Sequence, residues 1–152
     1  KKTVKMIKRI LPDAHISTDI IVGFPGETKK QFKNTMDLFK EVGFDMAYIA
    51  EYSPRPGTAA AEMEDNISSQ EKQRRRETLT RLLEKSALAK NKKYIGKEVE
   101  ALIFRKRKKA FIGKTRNYKT VKITGARKNL VGQKVKTKVT AAIPWGLLSE
   151  PL

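Results

Sequence analysis

The stretch Ile16-Ser17-Thr18-Asp19-Ile20-Ile21-Val22-Gly23 is nearly continuous in Ile and Val and runs straight into Phe24-Pro25-Gly26-Glu27-Thr28. A short aliphatic run of this kind suits a strand buried on both faces of a parallel sheet. Two glycines and a proline then demand a tight turn at the strand's C-terminal end. Thr28 and Gln31 have the spacing of a capping box, which opens a helix. Phe32, Met36 and Phe39 lie on one face of that helix with Val42 nearby, and Gly43 ends it. Phe44 to Tyr52 reads as the next strand, and Ser53-Pro54-Arg55-Pro56-Gly57-Thr58 as a stiff loop after it. Upstream, Val4, Ile7 and Ile10/Leu11 predict a helix that stops near Pro12. A strand–helix–strand order predicts a parallel α/β sheet.

Ligands of such sheets bind beyond the C-terminal ends of the strands, so the loops 23–28 and 53–58 are the candidate sites. Gly23 and Gly26 would let backbone approach a cofactor, and the following helix N-terminus favours anionic groups. An ordinary βα turn explains the same residues. Arg55, held between two prolines, suits a carboxylate or phosphate, or is a surface charge on a rigid turn. Asp19 inside an apolar strand needs a hydrogen-bond partner or a function. His15 has no His or Cys neighbour, so a loop residue is expected and no metal role.

The charge is unevenly placed. The chain of 152 residues has 34 Lys+Arg against 16 Asp+Glu, a net +18. Residues 1–66 hold 10 Lys/Arg and 10 Asp/Glu, residues 67–94 hold 9 and 3, and residues 95–152 hold 15 and 3. All of the excess is therefore C-terminal, which predicts modules with different partners: 1–66, a linker helix over 67–94, and 95–152. A basic module attracts nucleic acid, an anionic membrane surface or an acidic protein. With no Cys in the chain, a disulfide scaffold, a thiolate zinc site, a Cys nucleophile and cysteine-held iron–sulfur clusters are excluded within these residues. No apolar run approaches the roughly 20 residues that span a bilayer, so no membrane partner is expected. No secretory pattern is visible, and a cytoplasmic location is expected. A chain opening on Lys1 is expected to be a piece of something longer.

Ser68 and Glu71 are spaced to cap the linker helix, expected from about Ser69 to Lys92 with Leu79, Leu82, Leu83 and Leu88 as its apolar stripe. Arg74, Arg75 and Arg76 read as a solvated face or a phosphate contact. From Lys97 the pattern turns to short β segments: 97–104, 110–115, 118–124, 134–143 and a last piece from Gly146. Val135, Thr137 and Val139 alternate with Lys134, Lys136 and Lys138. Five short antiparallel strands suit a small closed barrel of the OB type. Arg105-Lys106-Arg107-Lys108-Lys109 is expected to be a cationic hairpin turn, followed by Lys114, Arg116 and Asn117 near another. Phe111 and Tyr118 interleave with these charges, as stacking platforms for bases or as barrel core. Trp145 is expected to plug the barrel.

These segments carry a specific resemblance. Ile16–Thr28 resembles the strand-and-loop signature of the radical-SAM methylthiotransferases, and Tyr52-Ser53-Pro54-Arg55-Pro56-Gly57-Thr58-Ala59-Ala60 resembles their later strand-end motif. Pro54-Arg55-Pro56-Gly57 is the form of the branch that methylthiolates tRNA. Ser69–Arg74 is similar to the family's linker helix, and Gly113-Lys114-Thr115-Arg116-Asn117-Tyr118 to the Gly-Arg-Thr-x-Asn stretch of its TRAM domain. The resemblance implies the last βα units of a TIM-type radical-SAM barrel, a linker helix and an RNA-binding TRAM barrel, an α/β region followed by an all-β one. It implies S-adenosylmethionine and two 4Fe-4S clusters as cofactors, and conversion of N6-isopentenyladenosine beside the tRNA anticodon to its 2-methylthio form.

By position, the resemblance puts Asp19, Gly23, Phe24, Pro25, Gly26 and Glu27 beside S-adenosylmethionine, and Tyr52, Ser53 and Arg55 at the substrate pocket. It makes the tRNA anticodon stem-loop the partner of the basic module, whose candidate RNA-binding residues are Arg105, Lys106, Arg107, Lys108, Lys109, Lys114, Arg116, Asn117 and Tyr118. The family's cluster cysteines are not among these residues, so no catalytic or metal residue is expected here. The missing N-terminal part of the same enzyme is an implied partner, and the chain alone should be inactive. Two positions depart from the pattern: Lys114 stands for Arg, and Ser149-Glu150 for Gly-Glu. The competing readings are a stand-alone RNA-binding module, a methylthiotransferase acting on another tRNA adenosine or on a ribosomal protein, and a binder of membrane surfaces or acidic proteins.

Overall fold

The computed structural model describes residues 1–126 and 128–152. They divide into two compact units, residues 16–84 and residues 1–15 together with 85–152.

The chain begins with helix α1, Lys2–Ile10, none of whose residues is buried. Strand β1, Ser17–Val22, pairs in parallel with β2, Met46–Glu51, in the register Ser17↔Met46 to Val22↔Glu51. Between them runs α2, Lys29–Val42. Its capping box is complete: Thr28 Oγ1 accepts from the Gln31 amide at 3.2 Å, and Gln31 Oε1 accepts from the Thr28 amide at 2.7 Å. Phe32, Phe39 and Val42 are its buried residues, and Phe39 meets Phe44 edge to face with centroids 5.1 Å apart. Gly43 ends the helix in the left-handed conformation, φ +57°.

β1 is not buried on both faces as expected. Burial alternates along it, and Ser17, Asp19 and Ile21 are exposed, Ile21 by 58%. In two paired strands one face is covered and the other stays open. The open face carries Asp19 directly beside Tyr48, itself 63% exposed.

A 3-10 turn, Ala59–Glu62, precedes α3, Ser69–Lys92. Ser68 caps α3, its hydroxyl accepting from the Glu71 amide at 3.2 Å. The side chains of α3 that are buried are Lys72, Arg75, Leu79, Leu83, Ala87 and Asn91, three or four residues apart. Of the expected leucine stripe, Leu79 and Leu83 belong to that face. Arg75 is therefore not on a solvated face, because a carboxylate partner draws it inward.

Five strands follow: β3 Glu98–Arg107, β4 Ala110–Thr115, β5 Thr120–Thr124, β6 Lys134–Ile143 and β7 Gly146–Pro151. They close into a barrel in the order β3-β4-β5-β7-β6. Ala101, Ile103, Phe111, Val121, Ile123, Leu130, Val139 and Leu147 fill it. Phe111 is thus core, 4% exposed. Thr137 and Ser149 are also buried, and their hydroxyls donate to the carbonyls of Glu150 and Lys122, which removes the cost of burying them.

Four features differ from expectation. The barrel is not wholly antiparallel: β5 and β7 run parallel. An odd number of strands joined in a ring cannot alternate direction throughout, so one pair must be parallel. β3 continues through Arg107, opposite Ala110 on β4, so only Lys108-Lys109 form the turn, with Lys108 at φ +53°. Three of the five cations expected in the turn are therefore on the strand. β5 starts at Thr120 rather than at Tyr118, because Tyr118 takes the left-handed conformation at φ +66° and breaks the extended run. Trp145 does not plug the barrel. It sits with Pro144 in the two-residue turn between Ile143 and Gly146 and is 43% exposed.

Candidate functional site

The loop after β1 is built around one carboxylate. The Gly23 amide donates to Glu27 Oε2 at 2.7 Å. Arg75 Nη1 donates to the same oxygen at 2.6 Å and to the Glu27 carbonyl at 3.0 Å. Arg75 Nε donates to Glu71 Oε1 at 2.8 Å, and Glu71 also takes two bonds from Arg74, at 2.6 and 2.7 Å. These guanidinium bonds, Arg74's first, hold the Glu71 carboxyl down at about 2, below its ordinary 4.5. The Gly26 amide donates to Asn66 Oδ1 at 3.0 Å and the Glu27 amide to the Phe24 carbonyl at 2.8 Å. The amides of Gly23, Gly26 and Glu27 are thus all engaged within the unit.

Lys72 makes the second tie. Its ammonium lies 2.5 Å from Asp65 and 5.3 Å from the centroid of the Tyr52 ring. Its stem fills the space where Gly23 would carry a side chain: a Cβ there would stand 2.3 Å from Lys72 Cγ. Gly23 also has φ +69°, so it is required twice, by conformation and by this contact. Tyr52 is buried, stacks edge to face on Phe24 at 5.2 Å, and donates its hydroxyl to the Ala60 carbonyl at 2.7 Å.

Of the sequence-predicted cofactor and pocket residues, the structure therefore gathers Gly23, Phe24, Glu27 and Tyr52 around Lys72 and Arg75. Pro25 is buried, while Ser53 and Arg55 are exposed on the later loop. Asp19 stands apart on the open sheet face. Sequence reading missed Asp65, Asn66, Lys72 and Arg75 as residues that shape this edge. The spacing of Lys72 and Arg75 from Leu79 and Leu83 was the available signal. Among the described residues, no three His, Asp or Glu side chains converge to hold a metal ion.

The barrel presents a second surface. Exposed cations line the β3–β4 hairpin from Arg105 to Lys109. Lys106 Nζ lies 5.6 Å from the Phe111 ring. Lys114 Nζ donates to Thr120 Oγ1 at 2.9 Å and sits 4.5 Å from the centroid of Tyr118. Partial burial pushes the Lys114 ammonium below its ordinary pKa. Tyr118 is 65% exposed. Asn117 is occupied at both ends, accepting from Thr115 Oγ1 at 2.6 Å and donating to the Tyr94 hydroxyl at 2.8 Å. Leu11, Pro12, His15, Tyr94, Asn117 and Tyr118 are among the walls of a cavity of about 690 Å³.

The TRAM domain family matches residues 92–152, the whole of this barrel. The match takes in all five strands of the barrel. The likeness to known proteins extends well beyond it. Over 150 residues, 97% of the chain, the sequence is 46% identical to a tRNA-2-methylthio-N(6)-dimethylallyladenosine synthase of Bacillus mycoides. It is 47% identical over the same share to those of Bacillus cereus and Bacillus anthracis. The chain spans 29% of the length of these curated relatives and matches their C-terminal part. At 97% coverage the matched stretch takes in Ile16–Thr28 and Tyr52–Ala60 as well as the barrel.

On the barrel, the predicted residues that stand exposed are Arg105–Lys109, Arg116 and Tyr118, whereas Lys114 and Asn117 are half-buried. Sequence reading left out of its contact set the lysines of β6 and the exposed Leu102 and Phe104 of β3. The alternation of Lys134, Lys136 and Lys138 already marked the first group as outward-facing. No helix among the described residues is long and apolar enough to cross a membrane.

Proposed function

We propose that the chain is the C-terminal portion of a tRNA methylthiotransferase that converts N6-isopentenyladenosine beside the anticodon to its 2-methylthio derivative. The observation that carries this is the identity of nearly half over 97% of the chain to synthases of that name. The likeness includes the α/β unit as well as the TRAM domain.

In this reading the TRAM domain holds the tRNA anticodon stem-loop through phosphate contacts from its exposed cations. β1 and β2 are late strands of a radical-SAM barrel whose other strands belong to the N-terminal part of the enzyme. Their open face turns to the lumen. S-adenosylmethionine fits that face: Ser17 and Asp19 keep polar groups there and Tyr48 a ring, while the loop amides are already bonded. When bound, it supplies the radical chemistry of the reaction. The loop 23–28 forms the rim, and Arg75 and Lys72 hold that rim in place. Two 4Fe-4S clusters do not fit this chain, which has no Cys. Their ligands lie in the N-terminal part, and the chain alone has no turnover.

The test is the coding sequence upstream of Lys1 followed by an assay of its product. An in-frame Cys-x-x-x-Cys-x-x-Cys and 2-methylthio product on tRNA bearing N6-isopentenyladenosine support the reading. A stop codon just upstream, or product only on a ribosomal protein, overturns it.

A further inference from the structure

The outer face of β3 carries two apolar side chains where a basic barrel has no structural use for them. Leu102 is 49% exposed and Phe104 is 51% exposed. Leu102 pairs with Lys114 on β4 and with Lys134 on β6, so its side chain stands between two lysines. The register slips between Ile103 and Arg105. This bulge leaves Phe104 outside the ladder and turns it outward next to Arg105, whose guanidinium carbon lies 5.9 Å from the centre of the Phe104 ring. The row of cations continues along β6 as the exposed Lys136 and Lys138. Lys136 and Lys138 stand opposite acids, Glu100 and Glu98, whereas Lys134 stands opposite Leu102, so the cations that face no acid across the ladder are those around Leu102 and Phe104.

We infer that Leu102 and Phe104, with Lys114, Arg105 and Lys134, form a binding site for an unpaired RNA segment, with the Phe104 ring as its stacking platform. A duplex would meet the lysines but has no splayed base for the ring. An unpaired segment uses both, its phosphates on the cations and a base on the aromatic face. A protein partner fits poorly, because lysine is depleted from the cores of protein interfaces and here flanks Leu102 on both sides. The inference rests on the reading of the TRAM domain as RNA-binding, and it specifies the kind of RNA.

The experiment compares the full chain with Phe104→Ala, Phe104→Leu and Lys134→Gln variants. Each is titrated with an RNA hairpin bearing an open loop, with the loop strand alone, and with a blunt duplex. Melting curves check that each variant is folded. Phe104→Ala and Phe104→Leu should weaken hairpin and single-strand binding on the order of tenfold, leaving duplex binding and the salt slope unchanged. Lys134→Gln should weaken all three and lower the salt slope by about one. In a Trp145→Phe background, Phe104→Trp should restore affinity, and the unpaired RNA should quench its emission. Equal effects of Phe104→Ala on duplex and single strand, or none on either, would overturn the site. So would loss of self-association with RNA affinity unchanged, which assigns the patch to protein contact. Absence of RNA binding by the unaltered chain would overturn both this site and the RNA-binding reading beneath it.

Discussion

Arg75 and Glu27 are 48 residues apart in sequence, yet the guanidinium of one lies 2.6 Å from the carboxylate of the other, with side chains only 4% and 14% exposed. Removing one partner of a buried pair leaves the other charged, unpaired and desolvated. Arg75→Ala should cost the full chain about 3–5 kcal/mol in urea unfolding. Arg75→Lys should recover only part of that, because a single ammonium cannot reproduce the fork that reaches Glu27 and Glu71 together.

Gly23 and Gly26 should respond differently to alanine although both have positive φ. At Gly26, φ +78°, an added Cβ meets nothing within 4 Å, so Gly26→Ala should cost only about 1 kcal/mol of backbone strain. At Gly23 the Cβ collides with the Lys72 stem. Gly23→Ala should therefore lower the melting temperature distinctly more. A Gly23→Ala/Lys72→Ala double variant should cost less than the sum of the two singles, because the collision is gone.

Acid should loosen the start of α3 through Glu71. Its folded pKa, about 2, is below its ordinary 4.5. The stabilisation is therefore complete above about pH 4.5 and is lost as pH falls toward 2. In a pH series of urea midpoints, Glu71→Gln should be less stable than the unaltered chain at pH 6. The gap should close by pH 2.

The salt dependence of RNA binding should count cations. Lys108 and Lys109 form the exposed β3–β4 turn. Replacing both by Gln should weaken binding across RNA sequences alike and reduce the slope of log affinity against log salt by about 1–2. Filter binding at several salt concentrations measures this directly.

The parts of this fold that were legible are those written locally. The Thr28–Gln31 capping box, the helix from Ser69 and the outward lysines of β6 follow from residues within a few positions of one another. The inward turn of Arg75 does not. A run of three arginines reads as solvated until Glu27, far away in the chain, is known to lie opposite. The bulge at Phe104 is a one-residue slip set by how β4 pairs with β3, and no composition signal marks it. The β-rich segment 118–124 opens on Tyr118, and aromatic residues favour strands. The bond from its amide to the Thr115 carbonyl, 2.9 Å, instead closes a turn. At the candidate cofactor edge the two glycines are visible in the sequence, but the side chains that shape it, Asp65, Asn66, Lys72 and Arg75, come from about 40 to 50 residues further on.

Among the barrel strands, β7 comes last in chain order, yet it is the stave between β5 and β6. Until Gly146–Pro151 has left the ribosome, neither seam can close, and both neighbours stand as open edges. Closure therefore waits for the last of the five strands to be made. A chain clipped between Lys138 and Gly146 would carry all 34 of its Lys and Arg and still lack the closed surface on which the barrel's cations are arrayed.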